Sequence, residues 1–450
     1  MITSRRNFLK AAGAAGAVSL AFPSVLGAPN PGRKLNIAAI GGGGGKGESD
    51  LSGAAEGNNV VAICDVDRDR LAKALLKYNL PSNRGFTDFR RMLDTVKEIE
   101  GCTVSTADHA HFPAAMHAIA LGKHVCVQKP LVNSLWQAHE LHRAAKKKHV
   151  VTNMGNQGHT GEGVRLLKEW VKQGAIGKVT EIHVWTNRPV WPQGNSASYP
   201  KGKPTPANLD WEAWQAGASS LPFIDGLHPF SWRGNRVYGA GAMGDMGCHL
   251  LDGPFWALDL GAPSRIVPET VNELGVEAYP KGAVISCHFP QKGIILRWYE
   301  GRGADDKSLK PPQPAEYDRQ KPWAEISGGF IMRGDKGIIL DTSDYCQQPA
   351  LLPAGKHSDF MATNPKKTLA RSTHPGNPQA EWTNAIKNGL VCGSNFDYAV
   401  PLTELCLLGN LAMLAGAPIE WNGNRREVKG RPDLSRFIKR PVYNGYDYRA

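Results

Sequence analysis

The sequence has no Cys-x-x-Cys pair, no internal repeat and no run of like charge longer than Lys146-Lys147-Lys148. Each absence removes a class. The eight cysteines (Cys64, Cys102, Cys126, Cys248, Cys287, Cys346, Cys392 and Cys406) are scattered, several within apolar stretches. That distribution points to buried free thiols, not to a disulfide scaffold or a zinc module. The formal charge is +12, but the basic residues are dispersed and lack an arginine-rich tract, so no nucleic acid is expected as partner. A mildly cationic surface suits anionic small molecules or a cell envelope. Beyond the N-terminal leader no stretch approaches the ~18 uncharged apolar residues that span a bilayer, so no stable membrane insertion is expected.

What is present begins with Ser4-Arg5-Arg6-Asn7-Phe8-Leu9-Lys10, followed by an Ala/Gly-rich run from Ala11 to Phe22 and small residues near Gly27. Positive n-region, mild h-region and small-residue cleavage site make residues 1–27 a signal peptide. The twin arginines address it to the Tat export machinery, and a periplasmic location follows. Tat carries folded proteins, which suits a chain that takes up its cofactor before export. The remaining length fits two domains: 33–153 and 154–422, then a basic, irregular tail, 423–450.

Residues 33–153 alternate strand and helix signals, the pattern of a doubly wound parallel sheet covered by helices. The apolar run Leu35 to Ile40 ends in five glycines, within which Gly42-x-Gly44-x-x-Gly47 has dinucleotide-binding spacing. Such glycines permit a tight turn and let a pyrophosphate approach a helix N-terminus. The extra glycine leaves the register open by one residue. A second strand, Val60 to Cys64, ends in Asp65, placed to bind a ribose and to repel a 2′-phosphate. NAD is therefore favoured, with Lys46 and Arg68 leaving NADP open. Further on, Ala107 to Pro113 reads as a loop whose histidines, His109 and His111, line the cofactor or cap the helix Ala114 to Leu121. A short strand, His124 to Val127, ends in Gln128-Lys129-Pro130. A lysine at that strand end sits at the crevice where open α/β sheets bind ligands.

The second domain opens at Gly155-Asn156-Gln157-Gly158-His159, with a helix from Glu162 to Gln173 and a strand from Val179 to Thr186. Six of the twelve tryptophans fall between Trp185 and Trp256. Most would pack in the core, with one or two left to meet a substrate. A helix from Asp245 to Leu260 would set Asp245, His249 and Asp252 on one face, and a carboxylate four residues before a histidine can orient it for acid–base work. Asn156, His228 and Trp232 are candidate substrate contacts. Alternating runs at Val284 to Phe289, Ile294 to Tyr299 and Gly337 to Leu340 suggest a mostly antiparallel sheet, Asp305 to Glu325 a surface excursion.

With the glycine run and Asp65, Gly122-Lys123-His124-Val125-x-x-x-Lys129-Pro130, and Asp245-x-x-x-His249 in view, the chain resembles the Gfo/Idh/MocA family. That family is named for glucose–fructose oxidoreductase and inositol dehydrogenase, and usually has Glu-Lys-Pro where this chain has Gln128-Lys129-Pro130. The resemblance implies an N-terminal Rossmann domain and a C-terminal α/β domain whose large open sheet often forms a homo-oligomer interface. It also implies Lys129, Asp245 and His249 as the catalytic trio.

The expected activity is transfer of hydride between NAD(P) and a secondary hydroxyl of a sugar, polyol or glycoside. Because a periplasm has no obvious free NAD pool, the cofactor is expected to be tightly held. Competing readings are an NAD-dependent glycosidase working by transient C3 oxidation and elimination, a non-catalytic sugar or nucleotide sensor, and metal hydrolysis by His109, His111 and His249.

Overall fold

The computed structural model describes residues 30, 32–194, 201–218, 221–443, 445–446 and 448; the 1–27 leader lies outside them. Six parallel strands build the first sheet: β1 (Asn36–Ile40), β2 (Asn59–Cys64), β3 (Gly85–Phe86), β4 (Gly101–Val104), β5 (His124–Val127) and β6 (Thr152–Met154). Their order is β3-β2-β1-β4-β5-β6, with the order reversing beside β1, where such sheets open a ligand crevice at their carboxyl ends. The strands are short apolar runs because helices cover both faces. Those helices are α1 (Lys46–Ala55), α2 (Arg68–Lys77), α3 (Phe89–Thr95), α4 (Asp108–Ala120) and α5 (Leu135–Lys148). The expected loop at 107–113 is instead the start of α4, which accommodates Pro113 within it. Phe112, Ala114, Ala115 and Ile119 are all buried, and that packing outweighs the hydrogen bond that proline removes.

After α6 (Glu162–Lys172), β7 (Val179–Thr186), the short α7 (Trp211–Gln215) and two-residue strands β8 (Asp225–Gly226) and β9 (His228–Pro229), the chain forms α8 (Gly241–Leu250) and α9 (Asp252–Leu258). The helix expected over 245–260 is thus broken at Leu251. A second sheet follows from β10 (Arg265–Asn272), β11 (Gly282–Phe289), β12 (Ile294–Gly301), β13 (Gly328–Gly334), β14 (Ile338–Asp341) and β15 (Ala350–Leu352). With β7, and with the later β16 (Ile419–Asn422) and β17 (Glu427–Val428), it has nine strands in the order β15-β14-β13-β7-β12-β11-β10-β16-β17. Every pairing is antiparallel except β7 with β12.

The remaining helices are α10 (Ala354–Ala362), α11 (Pro378–Asn388), α12 (Phe396–Ala415) and α13 (Ser435–Ile438). By length and composition α12 could cross a membrane, which brings it nearer that limit than the sequence reading allowed. It lies largely buried against α5, α8 and the second sheet. The sheet's other face is partly covered by the excursion after β12, where Trp323 meets Trp185 at 5.2 Å. Elsewhere on the sheet Arg297 pairs with Glu181 at 2.6 Å and Glu269 at 3.1 Å.

The first domain does not close at residue 153. Trp382 of α11 is fully buried among Leu35, Ile37 and Leu51, so a segment more than two hundred residues downstream completes its outer layer. The described residues of 423–450 hold regular structure where an irregular tail was expected. They add β17 and α13, and Tyr446 reaches Phe89 at 5.8 Å beneath the Arg90 guanidinium at 4.1 Å.

Candidate active site

The turn between β1 and α1 is made almost wholly of backbone. A Cβ at Gly47 would stand 1.8 Å from the Gly41 carbonyl oxygen, and one at Gly43 would stand 2.6 Å from Asp65 Oδ2. Only glycine lets helix and turn come this close. No side chain caps α1, so its first N–H groups and the positive end of its dipole are free for an anion. Gly41, Gly44, Gly45 and Gly47 line a cavity of about 420 Å³ at this helix end. Gly42 lies behind it, against Ala39 and Ile63.

Asp65, at the end of β2, also lines the cavity. Its Oδ2 accepts the Gly43 N–H at 2.7 Å and its Oδ1 the Asp67 N–H at 3.0 Å. Burial raises its pKa, and the two N–H groups and nearby Arg70 offset only part of that. Each carboxylate oxygen still has a lone pair for a ribose hydroxyl. Of the two cations that kept NADP open, both have protein partners, though Lys46 also lines the cavity. Lys46 pairs with Asp50, and Arg68 binds the Ala207 carbonyl at 3.1 Å. Uncapped helix, Cβ-free turn and ribose-binding carboxylate together fit the pyrophosphate and ribose of NAD.

Beneath the turn, Asp50 is almost wholly buried and collects donors. Besides Lys46 it accepts Ser105 Oγ, Gln128 Nε2 and Gln379 Nε2, each at 2.7 Å. This accounts for glutamine at 128: a glutamate there would put a second carboxylate against a buried one, whereas the amide donates.

The second part of the site is made of side chains. Lys129, just past β5, extends Nζ to the Asp245 carbonyl oxygen at 2.7 Å and to Asp245 Oδ1 at 2.9 Å. The same Oδ1 accepts Arg233 Nε at 3.1 Å. Burial opposes charge on Asp245, but the two cations outweigh it and hold the carboxyl well below the usual range. One turn along α8, His249 is buried. Its Nδ1 faces Asn156 Oδ1 at 3.0 Å and its ring meets the Tyr345 ring edge-on at 4.8 Å. Burial first, then Lys129, pushes its pKa well below 6.5, so it is neutral near pH 7. With the Asn156 oxygen accepting from Nδ1–H, Nε2 keeps the lone pair.

The other predicted positions separate. His228 and Trp232 line the glycine-turn cavity. Asn156 is fully buried and holds His249. His109 is placed away from the cradle: its ring nitrogens face the Trp214 and Tyr238 carbonyls at 2.7 and 3.3 Å, and it lines a different cavity. His111 lies between the Pro130 and Thr106 carbonyls at 2.9 and 3.2 Å. Among the described residues no three metal-ligating side chains converge. Asp252 and His249 both face the segment 156–159, His249 at Asn156 and Asp252 three residues further on. Asp252 accepts His159 Nδ1 at 2.9 Å and Tyr398 Oη at 2.6 Å. Of the tryptophans between Trp185 and Trp256, Trp185, Trp191, Trp214 and Trp232 are buried, and Trp214 and Trp232 line the cavity.

Sequence reasoning missed two residues. Arg233 stacks on Trp232 at 4.3 Å and links the cavity it lines to Asp245. Asp108, the first residue of α4, is buried; burial raises its pKa to about 7, against the pull of Arg233 and Lys129. Neither carries a motif: Arg233 acquires its meaning from Asp245, twelve residues on, and Asp108 from Arg233 and Lys129.

Residues 35–156 match the model of the Gfo/Idh/MocA family, described as an oxidoreductase family with an NAD-binding Rossmann fold. A levoglucosan dehydrogenase of Pseudarthrobacter phenanthrenivorans is 25% identical over 191 residues, 42% of this chain and 40% of that protein. A glycosyl hydrolase family 109 protein of Shewanella baltica is 29% identical over 205 residues, 39% of this chain and 44% of that protein. The chain thus matches less than half the length of these relatives. The structure of the WlbA dehydrogenase from Chromobacterium violaceum, in complex with NADH and UDP-GlcNAcA, superposes with a TM-score of 0.62 at 15% identity. It covers 89% of this chain and 99% of that one. That likeness is one of fold.

Proposed function

We propose that the protein is an NAD-dependent oxidoreductase acting on a secondary hydroxyl of a sugar, polyol or glycoside. The observation that carries this reading is the side-chain cluster joined to the glycine-turn cavity through Arg233, which lines that cavity and pairs with Asp245. A lysine ammonium lies 2.9 Å from Asp245, and a neutral imidazole, His249, sits one helical turn along from Asp245. When bound, the nicotinamide supplies a two-electron acceptor for the substrate's carbon-bound hydrogen. The protein's own part is the proton. His249 Nε2 takes it from the hydroxyl, and the Lys129 ammonium steadies the negative charge that develops on that oxygen. Asp245 keeps Lys129 aimed, and Asn156 keeps the imidazole in the required tautomer.

The test has two steps. Absorbance and mass spectrometry of the purified protein should reveal a nicotinamide nucleotide carried through purification. A panel of sugars and polyols should then give cofactor reduction that disappears in Lys129→Met. A protein that binds NAD but turns over no member of the panel would instead be a sensor.

A second reading is NAD-dependent glycoside cleavage, favoured by the similarity to the glycosyl hydrolase family 109 protein. Release of nitrophenol from an aryl glycoside, without net cofactor reduction, distinguishes it. The twin-arginine leader supports Tat export to the periplasm, checked by fractionating cells that express Arg5→Lys/Arg6→Lys. Assembly into a homo-oligomer is checked by light scattering.

A further inference from the structure

A second cavity, of about 460 Å³, opens beside the C-terminal segment and is walled by Phe112 of α4, Val237, Arg236, Glu277, Arg436 and Arg440. Tyr446 lies between it and the glycine-turn cavity and lines both. Glu277 is the one acid in this wall among the described residues.

Among the described residues none of the three guanidiniums makes a direct ion pair with a carboxylate. Arg440 donates to the Arg236 carbonyl and, at 3.4 Å, to the Tyr279 hydroxyl, both neutral acceptors. Arg436 lies over the Phe437 ring at 4.8 Å. Arg236 Nε and Glu277 Oε2 are both buried without a hydrogen-bond partner among the described residues. Burial lowers the pKa of Arg236, with Arg440 and Arg436 adding to that and Tyr279 and Glu277 opposing it; Arg436 itself is exposed.

We infer that this cavity binds a monosaccharide-sized phosphate monoester, its dianionic head held by Arg236, Arg436 and Arg440 and its body against Phe112 and Val237. Three guanidiniums against one carboxylate leave a surplus of two positive charges, which a phosphate monoester dianion matches. The planar guanidinium fork suits tetrahedral oxyanions. The volume lies in the range of small-molecule sites, about 300–1,000 Å³, and exceeds what phosphate alone would fill. The inference does not depend on the redox reading, because this site contains none of Lys129, Asp245 or His249.

The experiment is calorimetric titration of the mature protein, with the dinucleotide site saturated by NADH, using glucose 6-phosphate, inorganic phosphate and glucose as probes. Glucose 6-phosphate should bind saturably and more tightly than inorganic phosphate, and glucose should not compete with it. Arg236→Gln/Arg436→Gln should weaken binding about tenfold or more, the usual consequence of losing a charge-assisted hydrogen bond. Arg236→Lys/Arg436→Lys should restore part of it, which separates lost charge from a damaged fold. Unchanged affinity in the glutamine pair, equal competition by glucose, or no saturable binding of either anion would overturn the inference. So would a change of oligomeric state in the glutamine pair without anion binding, which would mark the wall as an interface between copies.

Discussion

The glycine turn and the Lys129 cluster do different work with different materials. The turn is contiguous backbone: one stretch, Gly41 to Gly47, folds on itself, and its N–H groups and missing Cβ atoms make the cradle. The cluster is side chains from distant places: Lys129 from the first domain, Arg233, Asp245 and His249 from the second, and Asn156 from the junction. A backbone-built site fails when it is filled. A charge-built site fails when one member is removed, because the others are left buried and unpaired.

The sharpest test of that contrast is Lys129→Met, which keeps the bulk and removes the ammonium. Turnover should fall by about 10³-fold or more, while NADH affinity, read by fluorescence titration, stays within about threefold. A parallel loss of cofactor binding would merge the two regions into one. Asp108 probes the cluster through stability instead. Its native pKa of about 7 is raised above the unfolded carboxylate value, so the folded state binds the extra proton. Between about pH 4 and pH 7, stability should therefore decline as pH rises, by up to about 4 kcal/mol, and level off above pH 7. Denaturant titrations at several pH values should show this slope flattened in Asp108→Asn.

The same contrast decides how much the sequence showed. The cradle could be read because its parts are local: a strand, glycines, a helix and Asp65 within thirty residues. The helices Leu135–Lys148 and Glu162–Lys172 and the strand Val179–Thr186 could be read for the same reason, since their periodicity lies within one window. Lys129, Asp245 and His249 were marked by motifs, but their contact spans 116 positions and no window contains it. Arg233 and Asp108 had no motif at all. One local reading misled: the stretch ending at Pro113 read as a loop, yet the buried helix tolerates that proline. The strands β10, β13, β15 and β16 escaped because their alternation depends on partners elsewhere in the second sheet.

Asp65 tests the cradle by the one side chain it uses. Asp65→Ala leaves the Gly43 and Asp67 N–H groups without their acceptor and removes the carboxylate offered to the ribose. NAD binding should weaken about tenfold to a hundredfold, and the preference over NADP should shrink because no anion remains to repel a 2′-phosphate. The ratio of the two dissociation constants is the measurement. A preference unchanged in the variant would move discrimination to the turn itself.

The smallest effect is expected at Asn156, which touches the reaction only through His249. Its oxygen, 3.0 Å from Nδ1, selects the tautomer with a free Nε2. In Asn156→Ala both tautomers become available, so kcat should fall about tenfold with KM little changed. The pH profile separates this positioning role from loss of packing. Oxidation needs neutral His249, whose pKa lies well below 6.5, so the wild-type acid limb should appear only well below that pH. Asn156→Asp places a carboxylate against the ring, favours the imidazolium and raises its pKa. Its acid limb should move upward, with activity lost at a higher pH as acid is added. If that limb stays where the wild type has it, Asn156 does not govern the proton on His249, and the charge-built half of the site ends at Lys129, Asp245 and Arg233.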